Sequence, residues 1–338
     1  MNNGDTNKTG KPVMGFWATL EKPFFVLAPM ADVTDTAFRQ MIAKYSRHGE
    51  PGGGPDVFWT EFVSADGLCS AGREVLLRDF AYTPREHPIV AQIFSSNPEN
   101  MRKTAELIAS LGFDGIDINM GCPDKSIEKQ GAGAAHMKDI KRAQEVIRAT
   151  MAGAPHLPVS VKTRIGYNKE NLEEWLGAIL ETKPAVVTIH ARTRKELSLV
   201  PARWEEVARA VKIAKGTGTL IIGNGDVMSL ADAEEKTRAT GADGAMIGRA
   251  MFGKPWFFDR ARTEEPTITE KFEIMIEHTH LFEKLLGDIK SFSIMKKHYK
   301  AYVNGFDGAK EFRVHMMDAK NADEVERIAR EFLKSLNG

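Results

Sequence analysis

FFVLAPMADVTD, residues 24–35, decides between two folds. Its first half, 24–30, is a short apolar run of strand length bounded by turn residues. Its second half is the turn that leaves that strand. A doubly wound nucleotide-binding sheet would carry a glycine-rich fingerprint here, because its backbone must come close to a pyrophosphate. The stretch contains no glycine, which favours a parallel barrel whose first turn carries side chains instead.

Seven more runs of the same kind follow: DVFWTEF (56–62), PIVAQIF (88–94), FDGIDIN (113–119), PVSVKTR (158–164), AVVTIHA (185–191), TLIIGNGD (219–226) and DGAMIGRA (243–250). Helical patterns lie between them. NPENMRKTAELIASLG (97–112) offers Asn97 as N-cap and Gly112 as stop, and SLADAEEKTRATG (229–241) runs from a Ser229 cap to Gly241. Eight strands alternating with helices predict an α/β fold, a (β/α)8 TIM barrel. Beyond residue 267 the strand pattern stops. ITEKFEIMIEHTHLFEKLLGD (268–288), SIMKKHYKAYVNG (293–305) and ADEVERIAREFLKSL (322–336) read as amphipathic helices. The expected division is a polar, disordered tail over 1–15, a catalytic barrel over 16–262 and a helical domain over 267–338.

Composition narrows the class. The 338 residues carry 46 basic and 46 acidic side chains, so any nucleic-acid contact must come from a local patch. Two cysteines, Cys69 and Cys122, cannot build a disulfide framework, which suits a reducing compartment. The N-terminus lacks the apolar stretch of a signal peptide, and no apolar run approaches the ~18 residues of a membrane span. The expectation is a cytoplasmic protein without a membrane or an obligate protein partner, monomeric by default.

In a (β/α)8 barrel the chemistry sits at the C-terminal ends of the strands. The residues there are Pro29 and Met30, Glu61, Gln92, Asn119 with Cys122, Lys162 with Arg164, His190 with Arg192, Asn224 to Asp226, and Gly248 with Arg249. GNGDV and IGRA put glycines after strands seven and eight, where barrels bind phosphate through backbone N–H groups, and Arg249 adds a charge-assisted donor. Glycines also permit tight turns, but two such loops at the expected strands favour phosphate. Lys162 is either a lysine reaching for the rim or a cation beside a ring that gains negative charge, as a flavin does on reduction, with Gln92 on the same ring edge. A lone His190 is often only structural. No cluster has zinc-like spacing, so no catalytic metal is expected.

Most free cysteines are buried small hydrophobes, and Cys69 fits that description. Cys122, in DINMGCPDKSIEKQGAGAA (117–135), lies on a loop at the expected mouth instead. Lys125 would favour a thiolate, while Asp117 and Asp124 oppose it. A thiol that stays protonated at neutral pH suits a general acid. GAGA (131–134) reads as a mobile segment that lets the loop close over a substrate.

Taken together, LAPMADVTD, TEFVSA, AQIF, DINMGCP with GAGAA, VKTRIG, TIHARTR, GNGDV and DGAMIGRAMFGKPWFF resemble the bacterial tRNA-dihydrouridine synthases, in this order and from about Phe16 onward. The resemblance implies an FMN-bearing barrel with a C-terminal helical tRNA-binding domain. NADPH, or NADH, would reduce FMN. Hydride would pass to C6 of a tRNA uridine and a proton from Cys122 to C5. Pro29, Met30, Ala31, Gln92, Lys162, His190, Asn224, Gly225, Asp226, Gly248 and Arg249 would hold FMN, and Asn119 and Arg164 would contact the uracil. Lys296, Lys297 and His298 would meet RNA, within a basic run of Lys290, Lys296, Lys297 and Lys300 interleaved with Tyr299 and Tyr302. A solvated helix face is the plainer account of that run. Two departures from the family pattern stand out: an EPGGGP insertion (50–55), expected near the second strand end where it would alter access, and His136 where an aliphatic residue is usual. An FMN-dependent small-molecule dihydropyrimidine or dihydroorotate-type dehydrogenase is the enzymatic alternative. The KKHYK helix argues against it, since a free pyrimidine needs no such domain.

Overall fold

The computed structural model describes residues 10–306 and 308–336. Eight strands form one sheet: β1 Phe24–Leu27, β2 Phe58–Ser64, β3 Ile89–Phe94, β4 Gly115–Asn119, β5 Val159–Arg164, β6 Val186–His190, β7 Leu220–Asn224 and β8 Gly244–Ile247. Each pairs in parallel with its sequence neighbour from β2 to β8, and β1 pairs with β8. Closure between β1 and β2 rests on a bridge from Val26 to Val57, with Leu27 N–H donating to Val57 O at 3.1 Å. The result is a (β/α)8 barrel. Its strands are covered on both faces, so they are almost uniformly buried and read as apolar runs rather than alternations.

Helices start and stop where local chemistry dictates. The Asn97 side chain accepts from the N–H groups of Glu99 and Asn100 and opens the helix Pro98–Ser110, with proline at its first position. Ser229 caps Leu230–Thr240, which ends on Gly241 at φ +74°.

The barrel interior is graded. One end is apolar and is closed by Trp17 from the short 3-10 turn Gly15–Ala18, packed 5.8 Å from Trp59 and 5.5 Å from Phe24 between ring centroids. The opposite end, where the strands finish, is polar and open. Of the tail expected over 1–15, residues 1–9 lie outside the described residues. The rest is not free: Pro12 and Val13 are half-buried, and Met14 packs on the Trp17 cluster. The EPGGGP insertion precedes β2, so it sits at the closed end of the barrel, not at the mouth. Arg260 fastens it there, its N–H donating to Gly52 O at 2.8 Å and its guanidinium to Gly53 O and Asp56.

Four helices follow the barrel: Ile268–Leu286, Met295–Tyr302, Ala309–Asp318 and Ala322–Leu336. The third escapes the sequence reading because few of its ten residues face inward. Phe272 stacks on Phe332 and meets Phe312 to form the core of this group. The group docks on the barrel helix Thr36–Tyr45. There Phe38, His278 and His298 meet ring to ring at 4.7–5.2 Å, and Glu277 binds both Lys44 and Tyr45. His298 is completely buried, so it supports domain docking and is not available to RNA; burial pushes its imidazole down to about 3. Lys290 also leaves the expected basic surface, because its ammonium lies 2.6 Å from Glu61 and 3.4 Å from Asp79.

Candidate active site

A cavity of about 560 Å³ opens at the polar end of the barrel. That is the size of a small-molecule or cofactor site. Pro29, Met30, Lys162, Arg164, His190, Asn224, Gly225, Asp226, Gly248 and Arg249 all line it. Residues separated by more than two hundred positions meet there because each ends or follows a strand. Ala31 is exposed on the rim instead, and Gln92 and Asn119 lie beneath.

The floor is a hydrogen-bond relay. Ser160 Oγ donates to Asp117 Oδ1 at 2.5 Å, and Gln92 Nε2 donates to Asp117 Oδ2 at 2.6 Å. Gln92 Oε1 accepts from Asn119 Nδ2 at 3.3 Å. Asn119 Oδ1 then accepts from the N–H groups of Gly121 and Cys122 at 3.1 and 3.0 Å. Much of the amide capacity expected to serve ligands at Gln92 and Asn119 is therefore spent on shaping the cysteine loop. Burial raises Asp117 to about 6, opposed by its bonds from Gln92 and Ser160.

Lys162 stands above this floor. Its ammonium donates to Asn224 Oδ1 at 3.2 Å, and Asn224 Nδ2 donates to Met246 O at 2.8 Å. Burial, and then the Arg164 charge, lower its pKa to about 8. His190 receives a hydrogen bond on Nε2 from Arg192 at 3.1 Å, which places its proton on Nδ1. Burial and the surrounding guanidinium and ammonium groups hold that imidazole far below its ordinary range, so it is a neutral donor.

The loops after β7 and β8 form a cradle. Gly225 has φ +120°, and a Cβ there would lie 2.9 Å from Ala202 Cβ and 3.2 Å from His190 Cδ2. A Cβ on Gly248 would lie 3.3 Å from Met30 Sδ. Both positions keep the wall thin enough for a ligand to approach backbone N–H groups. Gly248 opens the short turn Arg249–Met251, whose first N–H groups have no acceptor within the turn. The Asp226 carboxylate lies between Arg192 and Arg249, 2.9 Å from the latter. Its side chain is shared between the two arginines at the cavity wall. In the sequence Arg192 reads only as a strand-end residue, because its partner Asp226 lies 34 positions away, beyond any local signal.

Cys122 is half-buried on the loop after β4. Asn119 pairs with Lys162 across β4 and β5; Cys122 itself is not among the residues that line the cavity, but its loop touches Arg164, which is. Burial pushes the thiol above its ordinary value, and the Asp124 charge adds to that, against Arg164 and Lys162. The group is a thiol at neutral pH. Arg164 braces the loop from below: Nε donates to Gly121 O at 2.8 Å, and Nη1 to Thr193 O and Leu197 O at 3.2 and 3.0 Å. Among the described residues its Nη2 has no partner, and Arg164 lines the cavity.

GAGA is not a hinge. Ala132 and Ala134 are fully buried, Ala134 N–H donates to Cys122 O at 2.9 Å, and a Cβ on Gly133 would lie 2.8 Å from that oxygen. Small residues are needed because the cysteine loop packs directly on them. His136, just beyond, is buried with Nε2 on Ser95 O at 3.1 Å and lowered by burial to about 4, a structural neutral ring. Among the described residues, no three His, Cys, Asp or Glu side chains gather to hold a metal ion, and no helix is long and apolar enough to cross a membrane.

Residues 26–337 match the dihydrouridine synthase (Dus) family. A probable tRNA-dihydrouridine synthase of Staphylococcus aureus (strain Mu50) is 38% identical over 322 residues, 94% of this chain and 95% of that protein. Probable tRNA-dihydrouridine synthase 2 of Bacillus subtilis (strain 168) is 37% identical over 94% of this chain and 96% of that protein. Among solved structures, a variant of NCR from Zymomonas mobilis superposes with a TM-score of 0.47 at 15% identity, over 73% of this chain and 90% of that one. With its barrel, its cysteine loop and relatives of this similarity and extent, the chain belongs to the dihydrouridine synthase family.

Proposed function

We propose that this protein reduces uridine in tRNA to 5,6-dihydrouridine, with FMN in the barrel cavity and NADPH, or NADH, as the source of reducing power. The observation that carries this reading is the loop of the half-buried Cys122, gripped by Arg164 beside a cavity that Arg164, Lys162 and the glycine turns after β7 and β8 line. The glycine turns after β7 and β8 suit a flavin monophosphate, since Gly225 and Gly248 line the cavity and a Cβ at Gly225 would press on Ala202 and His190. When bound, FMN would supply the hydride for C6 of the uracil.

The chain's own residues have separable tasks. The N–H groups around Gly248 and the Arg249 guanidinium would hold the phosphate. Lys162 would place a positive charge by the flavin ring, and His190 would donate from Nδ1. Arg164 Nη2 would be free to hydrogen-bond a uracil carbonyl. Cys122 Sγ–H would deliver the proton to C5. Burial serves this role, because a thiol held above its ordinary pKa arrives protonated. The target base would be splayed out of its stack to reach the cavity.

Lys296, Lys297 and Lys300 would meet tRNA phosphates. Lys297 lies 3.6 Å from Asp32 in the first βα loop, so this helix borders the mouth. The four C-terminal helices thereby act as the tRNA-binding domain of a cytoplasmic monomer.

The test is anaerobic. Purified enzyme carrying reduced flavin is mixed with tRNA lacking dihydrouridine, and flavin absorbance and dihydrouridine are followed together. Reoxidation with dihydrouridine formed is expected. Flavin that stays reduced with tRNA but reoxidises with a free pyrimidine would overturn the reading. Cys122→Ala should keep flavin reduction by NADPH and lose most tRNA turnover.

A further inference from the structure

We propose that the Glu128–Arg194 ion pair is a positioning element that holds the Cys122 loop against the loop after β6. The proposal rests on the reading of Cys122 as the proton donor and adds how that donor is kept in place.

The loop from Cys122 to Ala134 is an excursion with a fixed root. At the root, Asn119 Oδ1, Arg164 Nε and Ala134 N–H grip residues 121 and 122. Its tip is the turn Lys125–Glu128, which is too short to be rigid alone. There the Glu128 carboxylate meets Arg194 through two parallel contacts, Nε to Oε1 at 2.8 Å and Nη2 to Oε2. The two residues are 66 positions apart in the chain. Among the described residues, no other hydrogen bond or ion pair joins 125–131 to the loop after β6.

Arg194 is itself fixed. Its N–H donates to Gly166 O at 2.8 Å, and Lys195 N–H donates to Tyr167 O at 2.9 Å, so the loops after β5 and β6 form a single layer. The Arg194 guanidinium lies 5.2 Å from the Tyr167 ring centre. The Lys138 ammonium lies 4.0 Å from the same ring, reaching it from the segment that follows GAGA. Thus the loops after β4, β5 and β6 converge on one point at the tip of the cysteine loop.

The Glu128 and Arg194 side chains are 10% and 24% exposed. A pair this dry and bidentate is screened far less than an open surface pair. Removing its charge loosens the tip, and the root, the Ser96 bond to Gln130 O and the packing of Ile127 on Phe94 and Ala132 must then hold Sγ. A donor that wanders slows proton delivery without changing its chemistry. Loss of Glu128 also removes a negative charge from the face that RNA would approach. Its loss therefore strengthens attraction for phosphate, so a slower enzyme could not be blamed on weaker RNA binding.

The experiment uses full-length, flavin-loaded enzyme in a Cys69→Ser background, so that Cys122 is the one thiol read. Iodoacetamide modification of Cys122 is timed by mass spectrometry, and kcat and KM for tRNA are measured alongside. Glu128→Gln should alkylate at Cys122 roughly fivefold faster or more, and kcat should fall while KM for tRNA stays level or drops. The charge-reversed double variant Glu128→Arg with Arg194→Glu should restore slow alkylation and recover most of kcat. Unchanged alkylation and kcat in Glu128→Gln would overturn the proposal, and so would a defect that the reversed pair does not repair. The proton-donor reading fails separately, if Cys122→Ala turns over tRNA at the normal rate.

Discussion

On the proposed function Lys162 would help the cavity hold an anionic flavin, and its pKa of about 8 would make that hold depend on pH. As pH rises through that value the ammonium is lost, so FMN affinity should fall, and Lys162→Met should bind more weakly with a flatter pH profile. Flavin fluorescence titrations across the range would check this. Stability runs the other way. The native group releases its proton near 8 and the unfolded one near 10.5. Between these values the unfolded chain binds more protons, so flavin-free protein should grow more stable as pH rises. Denaturant titrations on either side of that window should show the rise in wild type and not in Lys162→Met. Gly225 is the second decisive position. A methyl group there meets Ala202 and His190 on a backbone at φ +120°, so Gly225→Ala should cost about 1–3 kcal/mol of stability and leave the protein largely without flavin. Thermal melts and flavin-to-protein absorbance ratios would show both.

At the scale of the element, the cysteine loop depends on close packing. Gly133→Ala places a Cβ 2.8 Å from Cys122 O and 2.9 Å from Ile127 Cγ2. Flavin content should be unchanged, while turnover of tRNA should fall roughly tenfold as Sγ is displaced. Single-turnover flavin reoxidation would measure it. The strands, the glycine loops and the site of the cysteine were legible in the sequence because each is written in consecutive residues. The role of GAGA was not: small residues serve a hinge and a tight contact equally, and only the neighbour across the gap tells them apart. The helix Met295–Tyr302 differs from the expectation at His298 for another reason. Its polar residues drew attention, yet Met295, His298, Tyr299 and Tyr302 recur at the spacing of one buried helical face. That periodicity marks His298 as interior and leaves Lys296, Lys297 and Lys300 outside. The pairs Arg192–Asp226 and Arg194–Glu128 carry no local signal, because each joins loops from different strands.

At the scale of the molecule, the barrel and the C-terminal helices are joined by buried polar contacts as well as by rings. Lys290→Met would leave Glu61 buried without its cation, so it should lower stability by about 3 kcal/mol or more and loosen the domains. Replacing Lys296, Lys297 and Lys300 together by alanine should leave the melting temperature nearly unchanged, weaken tRNA binding and flatten its salt dependence. Calorimetry and filter binding at several salt concentrations would separate the two cases. One further consequence follows from Lys290 reaching across to the end of β2. With Lys290 on Glu61 and Lys297 beside Asp32, the basic helix is held to the barrel at its mouth, like one jaw of a fixed caliper. If tRNA binds as proposed, an RNA placed in it would itself have to yield, the nucleotides whose stacking and tertiary contacts loosen most cheaply would be the ones to reach the thiol, and selection among uridines would follow local RNA stiffness rather than base lettering.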